Sequence, residues 1–170
     1  KKLSNILSLD FCGKKDARHI SAEQSKIELI NLYVPAGGEV PDPDLNSKFE
    51  HKLAFLDELN KLLEKKKNKT IIICGDLNIA PYKEDVWSHK SLQNVVSHTE
   101  TERESLKNIM EDNNFTDAIR YFLQPSENIF TWWSYRSPNF EKNNRGRRLD
   151  HIWVSEALSD YLKNAKILKD

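Results

Sequence analysis

Ile27, Leu29, Leu32 and Val34 lie in a β-rich stretch that stops at Pro35, which predicts a strand over residues 26–34. Residues 36–45 hold two glycines and two prolines and predict a loop. Phe49, Leu53, Leu56, Leu59 and Leu63 then recur at helical spacing. Ser47 and Glu50 make a capping-box signature, so a helix is expected from about Ser47 to Lys65. Ile71, Ile72, Ile73 and Cys74 form an apolar run too short for a helix and rich in β-branched residues, the mark of a buried central strand. Cys74 reads as a small buried hydrophobe within it. Thr101 with Glu104 would cap a second helix carrying Leu106, Ile109 and Met110. Further strands are expected over Phe130–Tyr135, Leu149–Val154 and Ala165–Leu168, with a polar loop over 136–147 and a short helix near Ser155–Tyr161. Strands and helices mixed in this way predict layered sheet and helix.

At 170 residues the chain suffices for one domain with a core, and its balance of apolar and charged residues is that of a globular protein. No apolar run is long enough to span a membrane as a helix, and no signal-peptide pattern opens the chain. Two cysteines, Cys12 and Cys74, make no disulfide framework, so a reducing cytoplasm is the simplest compartment. Formal net charge is zero, so any affinity for nucleic acid must come from distribution. Residues 136–148 concentrate Arg136, Lys142, Arg145, Arg147 and Arg148 against a single acid, Glu141. Lys61 and Lys65–Lys67 follow the leucine stripe and read as a solvated helix end.

Four motifs carry candidate chemistry. Gly75-Asp76-Leu77-Asn78 follows the apolar strand and sets a carboxylate and an amide two residues apart, on one side of a rigid strand end. The bland reading is a strand-ending turn, since Gly, Asp and Asn all favour turns. Arg148-Leu149-Asp150-His151-Ile152-Trp153-Val154-Ser155 opens a strand with a carboxylate. Neighbours on a strand face opposite ways, so His151 reads as structural rather than as a partner of Asp150. Asn31-Leu32-Tyr33-Val34-Pro35 ends a strand on a tyrosine that could equally be packing. Thr131-Trp132-Trp133-Ser134-Tyr135-Arg136 runs into the basic loop, where Phe140 lies. Tandem tryptophans commonly mean core, but aromatics interleaved with cations suit stacking on a base or sugar beside phosphate contacts.

These motifs in this order resemble the exonuclease III and abasic-site endonuclease branch of the endonuclease/exonuclease/phosphatase superfamily. The matching stretches are NLYVPAGG, IIICGDLNIAP, SHTETERE, FTWWSYR and NNRGRRLDHIWVS, within residues 18–160. The resemblance implies a four-layer α-β-β-α sandwich of the deoxyribonuclease I-like kind. It also implies a Mg²⁺-dependent DNA repair phosphodiesterase, with Mn²⁺ as an alternative ion. The substrates would be double-stranded DNA with abasic sites or 3′ ends. Asp76 would activate the attacking water or help hold the metal; Asn78 would orient that water and stabilise the pentacovalent transition state, and it stands with Asp76 on the metal side. Tyr33 would contact the scissile phosphate or leaving oxygen, and Asp150 would orient a histidine that touches the phosphate. Trp133 and Phe140 would line the pocket for a flipped-out abasic sugar, and Arg136, Arg145 and Arg147 would meet DNA. The chemistry suits an anionic diester, which needs a cation to neutralise developing charge and a base to take the proton of a water.

The chain departs from the family at both ends. Nothing upstream of Tyr33 matches the segment whose Glu is the main metal ligand, and the closing Ser-Asp-His does not occur; Ser159-Asp160-Tyr161 falls too soon after Asp150 to replace it. Residues 1–170 are therefore expected to form a partial domain lacking the N-terminal third and the closing strand, with apolar surface left open. It is expected to be a monomer or to need a complementing fragment. Two alternatives stand beside the nuclease reading: a non-catalytic remnant that binds DNA or packs on a partner, and a superfamily phosphatase acting on small phosphoesters.

Overall fold

A computed structural model describes residues 2–134 and 139–168. In chain order the strands are β1 (Ser4–Leu7), β2 (His19–Gln24), β3 (Ile27–Tyr33), β4 (Thr70–Asp76), β5 (Phe115–Asp117), β6 (Trp132–Trp133), β7 (Gly146–Arg147) and β8 (Asp150–Ser155). The helices are α1 (Ser47–Glu64), α2 (His89–Leu92), α3 (Glu100–Asp112) and α4 (Phe140–Asn143). Six strands form one mixed sheet in the order β1-β2-β3-β4-β8-β5, while β6 and β7 form a separate ribbon. Only β3 and β4 run parallel in the large sheet, because α1 carries the chain back between them.

Helices α1 and α3 cover one face of the sheet. Ile30, Leu32, Ile71, Ile73 and Trp153 meet Phe55, Leu56, Leu59, Leu63, Leu106 and Ile109 in a single core. The opposite face has no covering layer among the described residues. Ile20, Leu29 and Ile152 are 51%, 40% and 46% exposed there, an open apolar surface of the kind that marks an interaction face. Of the expected four-layer sandwich, the described residues thus form one sheet layer and one helix layer. The one-sided cover also corrects the reading of residues 71–74. The strand is central, but Ile72 and Cys74 are only half-buried because they point to the open face.

The cap of α1 is Asn46, whose side chain accepts from the Lys48 amide and donates to the carbonyls of Gly37 and Val40, pinning the 36–45 loop. The capping box of α3 is Thr99 with Glu102, two residues before the expected pair. Of the described part of the expected strand 130–135, Trp132 and Trp133 pair, against Arg147 and Gly146, and Tyr135 lies outside the described residues. Residues 165–168 form no strand, and 156–161 are a 3-10 helix. Strands β1, β2 and β5 carry too few apolar residues to announce themselves.

Candidate active site at the strand ends

Strand register builds the site. Tyr33 at the end of β3 pairs with Asp76 at the end of β4, and Asp76 pairs with Asp150 at the start of β8. Three neighbouring strands therefore set a phenol and two carboxylates in one row, on the side of the open face. Gly75 makes the row feasible. Its φ is +130°, and a Cβ there would lie 2.1 Å from the Leu32 carbonyl oxygen, so no side chain fits. Asn78 follows with φ 52°, a left-handed conformation that asparagine tolerates. Its backbone N–H donates to Asp76 Oδ1 at 2.8 Å, and its Nδ2 donates to the Val34 carbonyl at 2.9 Å. The amide is thereby oriented with Oδ1 left over.

Burial raises the Asp76 carboxyl above the ordinary carboxylate range; the Asn78 amide opposes this, and the charge of Asp150 adds to it. Asp150 is exposed, and its own N–H and that of Leu149 both donate to Thr131 Oγ1 at 3.0 Å. Thr131 thus ties the carboxylate strand to the tryptophan ribbon. His151 points away into the core, where its Nε2 meets the Ile79 carbonyl at 2.9 Å and burial depresses its pKa to about 3. It is a neutral structural side chain, as strand alternation indicates.

Beneath the row lies a buried ion pair that the motifs did not announce. Lys52 is fully buried, 2.5 Å from Glu102 Oε1. Its Nζ also donates to the carbonyls of Asn78 (2.8 Å) and Ala36 (3.3 Å). Glu102 accepts from the amides of Ser97 and Thr99. One pair therefore clamps three loops. Desolvation lowers the Lys52 pKa, and Glu102 opposes that shift. The signal was present, since Lys52 falls on the apolar stripe between Phe49 and Leu56.

The basic segment divides into inner and outer cations. Arg148 is fully buried and bridges Asp117 (2.6 Å) and Asp85 (3.0 Å), and Arg120 also pairs with Asp85. It holds the interior and leaves the count of surface charge. Arg147 lies over the Trp132 ring at 5.9 Å and donates to the Val96 carbonyl and Ser97 Oγ. Arg145 is exposed over the Trp87 ring at 4.7 Å. Trp133 stands edge-on to Phe130 at 6.2 Å and donates its Nε1 to Asn144. Its neighbour Trp132 is 38% exposed. Arg136 and the side chain of Phe140 lie outside the described residues.

A model described as the Endonuclease/Exonuclease/phosphatase family matches residues 13–161. The chain belongs to that family. A Bacillus subtilis exodeoxyribonuclease is 29% identical over 157 residues, 92% of this chain and 60% of that protein. A Dictyostelium discoideum DNA-(apurinic or apyrimidinic site) endonuclease is 32% identical over 152 residues, 87% of this chain and 40% of that protein. An AP endonuclease structure from Archaeoglobus fulgidus superposes with a TM-score of 0.83 at 31% identity, covering 94% of this chain and 61% of that one. A Neisseria 3′ phosphatase bound to a product DNA hairpin gives 0.85 at 25% identity, covering 96% and 62%. The fold of this member is thus α/β of the deoxyribonuclease I-like type, and the chain spans about 60% of the length of these structures.

The side chains present fit a hard divalent cation in part. Asp76, Asp150 and the free Asn78 Oδ1 offer oxygen donors on adjacent strand ends, the ligand type that Mg²⁺ takes with one or two carboxylates plus substrate oxygens. Among the described residues no three His, Cys, Asp or Glu side chains group to hold a metal ion, so the shell they offer is incomplete.

Proposed function

We propose that this chain carries the phosphodiester-hydrolysing strand ends of an exonuclease III-type DNA repair nuclease. The reactions would be cleavage on the 5′ side of abasic sites and removal of nucleotides from 3′ ends. The observation that carries this reading is the row Tyr33–Asp76–Asp150 with Asn78 beside it. Asp76 takes the proton of the attacking water, a role its raised pKa suits, or else helps hold the cation, which would draw that pKa down. Asn78, held by Val34, orients that water through Oδ1. Tyr33 stands at the row's outer end to meet the phosphate or its leaving oxygen, and Asp150 orients a histidine. A divalent cation would be held by Asn78 and Asp150, and by Asp76 in its second role, and when bound would neutralise the charge that develops on the phosphate; Mg²⁺ is the first choice and Mn²⁺ the second. Trp133 and Phe140 shape the sugar pocket, while Arg136, Arg145 and Arg147 contact DNA. Two free cysteines are consistent with a cytoplasmic protein.

A non-catalytic DNA-binding module is the second reading, favoured by the incomplete metal shell. The test is Mg²⁺-dependent nicking of an abasic duplex by the purified chain, beside a soluble inositol phosphate. The expected result is incision at the abasic site alone, abolished in Asp76→Asn. Because one missing transition-state donor costs about 10²–10³-fold, the rate should fall at least that far below the Bacillus subtilis exodeoxyribonuclease. Preference for the small phosphoester overturns the reading. DNA binding without any Asp76-dependent incision selects the second reading.

A further inference from the structure

A feature on the Tyr33 side of the same strand ends takes no part in the chemistry above. A cavity of about 420 Å³ is lined by Lys14, Arg18, Lys48 and His51, with Asp16 the only acid on its wall. Its floor is the Pro35–Gly38 backbone that leaves the end of β3, and one side is the first turn of the 18-residue α1. Two of the charges are already matched. Arg18 Nε donates to Asp16 Oδ2 at 2.5 Å, its Nη1 donates to the Tyr33 carbonyl at 3.3 Å, and its guanidinium covers the Tyr33 ring at 5.1 Å. Lys14 and Lys48 make no ion pair with any described residue. The surplus at the cavity is therefore positive, and the amino-terminal end of α1 adds to it.

The second observation is His51. Its side chain is only 10% exposed, yet Nε2 has no hydrogen-bond partner. Asp16 Oδ2 lies 3.8 Å away, beyond hydrogen-bond reach, and is already engaged by Arg18. A buried ring nitrogen without a partner is costly. Here it lines a cavity whose wall carries Lys14, Arg18 and Lys48 against Asp16; with its proton on Nε2 the ring adds a further donor, and an oxyanion would satisfy all of them.

Resting on the nuclease reading, we infer that this cavity receives a phosphate of the bound strand adjacent to the one that reacts at Asp76, held by Lys14, Lys48 and His51. The shared chemistry also admits a free phosphate monoester, such as a released mononucleotide. Arg18 links the two places, since it lies on Tyr33 and lines the cavity. A strand phosphate seated here would fix the register of the diester over the row of strand ends without touching the reacting atoms, as backbone contacts do.

The test uses the full chain and its Lys14→Ala/Lys48→Ala variant, both exposed positions whose removal leaves the core intact. Inorganic phosphate, a mononucleotide and a short duplex are titrated separately by amide-resolved NMR. A second duplex series carries one uncharged methylphosphonate linkage, moved stepwise along the strand. The expected result is that duplex shifts the amides of Lys48 and His51. The variant should weaken duplex binding about tenfold or more and lower the slope of log affinity against log salt by about 1, the value of one lost phosphate contact. One non-reacting linkage, when neutral, should make the variant's defect disappear. Unchanged affinity and slope in a variant of unchanged melting temperature overturn the inference. A response to inorganic phosphate or mononucleotide with no change in the duplex slope overturns the strand assignment in favour of a free monoester. Failure of the abasic nicking assay with the slope effect intact sinks the proposed reaction and supports the cavity.

Discussion

Replacing Lys52 by Met removes a cation whose side chain is fully buried and whose partners are Glu102 and the carbonyls of Asn78 and Ala36. Methionine nearly fills the volume, so the cost is electrostatic rather than a cavity. Glu102 remains buried with donors from Ser97 and Thr99 but without its counter-charge. Leaving one partner of a buried pair uncompensated costs about 3–5 kcal/mol. Against a domain stability of about 5–15 kcal/mol that is a large share. In urea, with a slope of about 2 kcal/mol/M, the middle of the usual range, the midpoint should fall by about 1.5–2.5 M at unchanged slope. Lys52→Met/Glu102→Gln removes both charges and keeps an acceptor for the Ser97 and Thr99 amides, so it should recover at least half of the loss. The assay is equilibrium urea unfolding followed by tryptophan fluorescence and circular dichroism. A single-variant loss under about 1 kcal/mol, or a double variant no better than the single, refutes the argument that the pair is interdependent and clamps the three loops.

Asp76→Asn should raise the melting temperature at pH 7. The folded carboxyl holds its proton more tightly than an ordinary aspartate, whose pKa is 3.8, so ionisation above that pH costs stability, and the gain should vanish as pH falls below 3.8, which a melting series checks. Burial depresses the pKa of His98 from 6.5 to about 4, so its contribution is present above pH 6.5 and is lost as pH falls through 4; His98→Gln should flatten the acid limb of the same series. Leu29→Lys should change stability by less than about 0.5 kcal/mol and reduce binding of an apolar dye, whereas its neighbour Ile30→Ala should cost about 2–5 kcal/mol, because only Ile30 faces the helices. Arg145→Ala should lower the salt slope of DNA binding by about 1 with no loss of stability, while Arg148→Ala should unfold the chain, since it strips Asp85 and Asp117 of their buried counter-charge.

What the sequence determined by itself is local. Helical spacing from Phe49 to Leu63 placed α1, and the β-branched run at 71–73 placed β4, because apolar periodicity follows backbone geometry directly. The motifs around Tyr33, Asp76, Asn78 and Asp150 named the residues, and alternation along β8 already turned His151 inward. Only the tertiary structure decided how these pieces meet. The parallel pairing of β3 with β4 and the antiparallel pairing of β4 with β8 set Tyr33, Asp76 and Asp150 side by side, and register between distant strands leaves no trace in local composition. The same holds for charge. Arg148 counts with the basic segment in sequence and Lys52 belongs to no motif, yet each is buried because its carboxylate partner arrives from a distant segment: Glu102 for Lys52, Asp85 and Asp117 for Arg148. Hydropathy reports the average environment of a residue type, whereas the ion pair that overrides it forms only when the chain has folded.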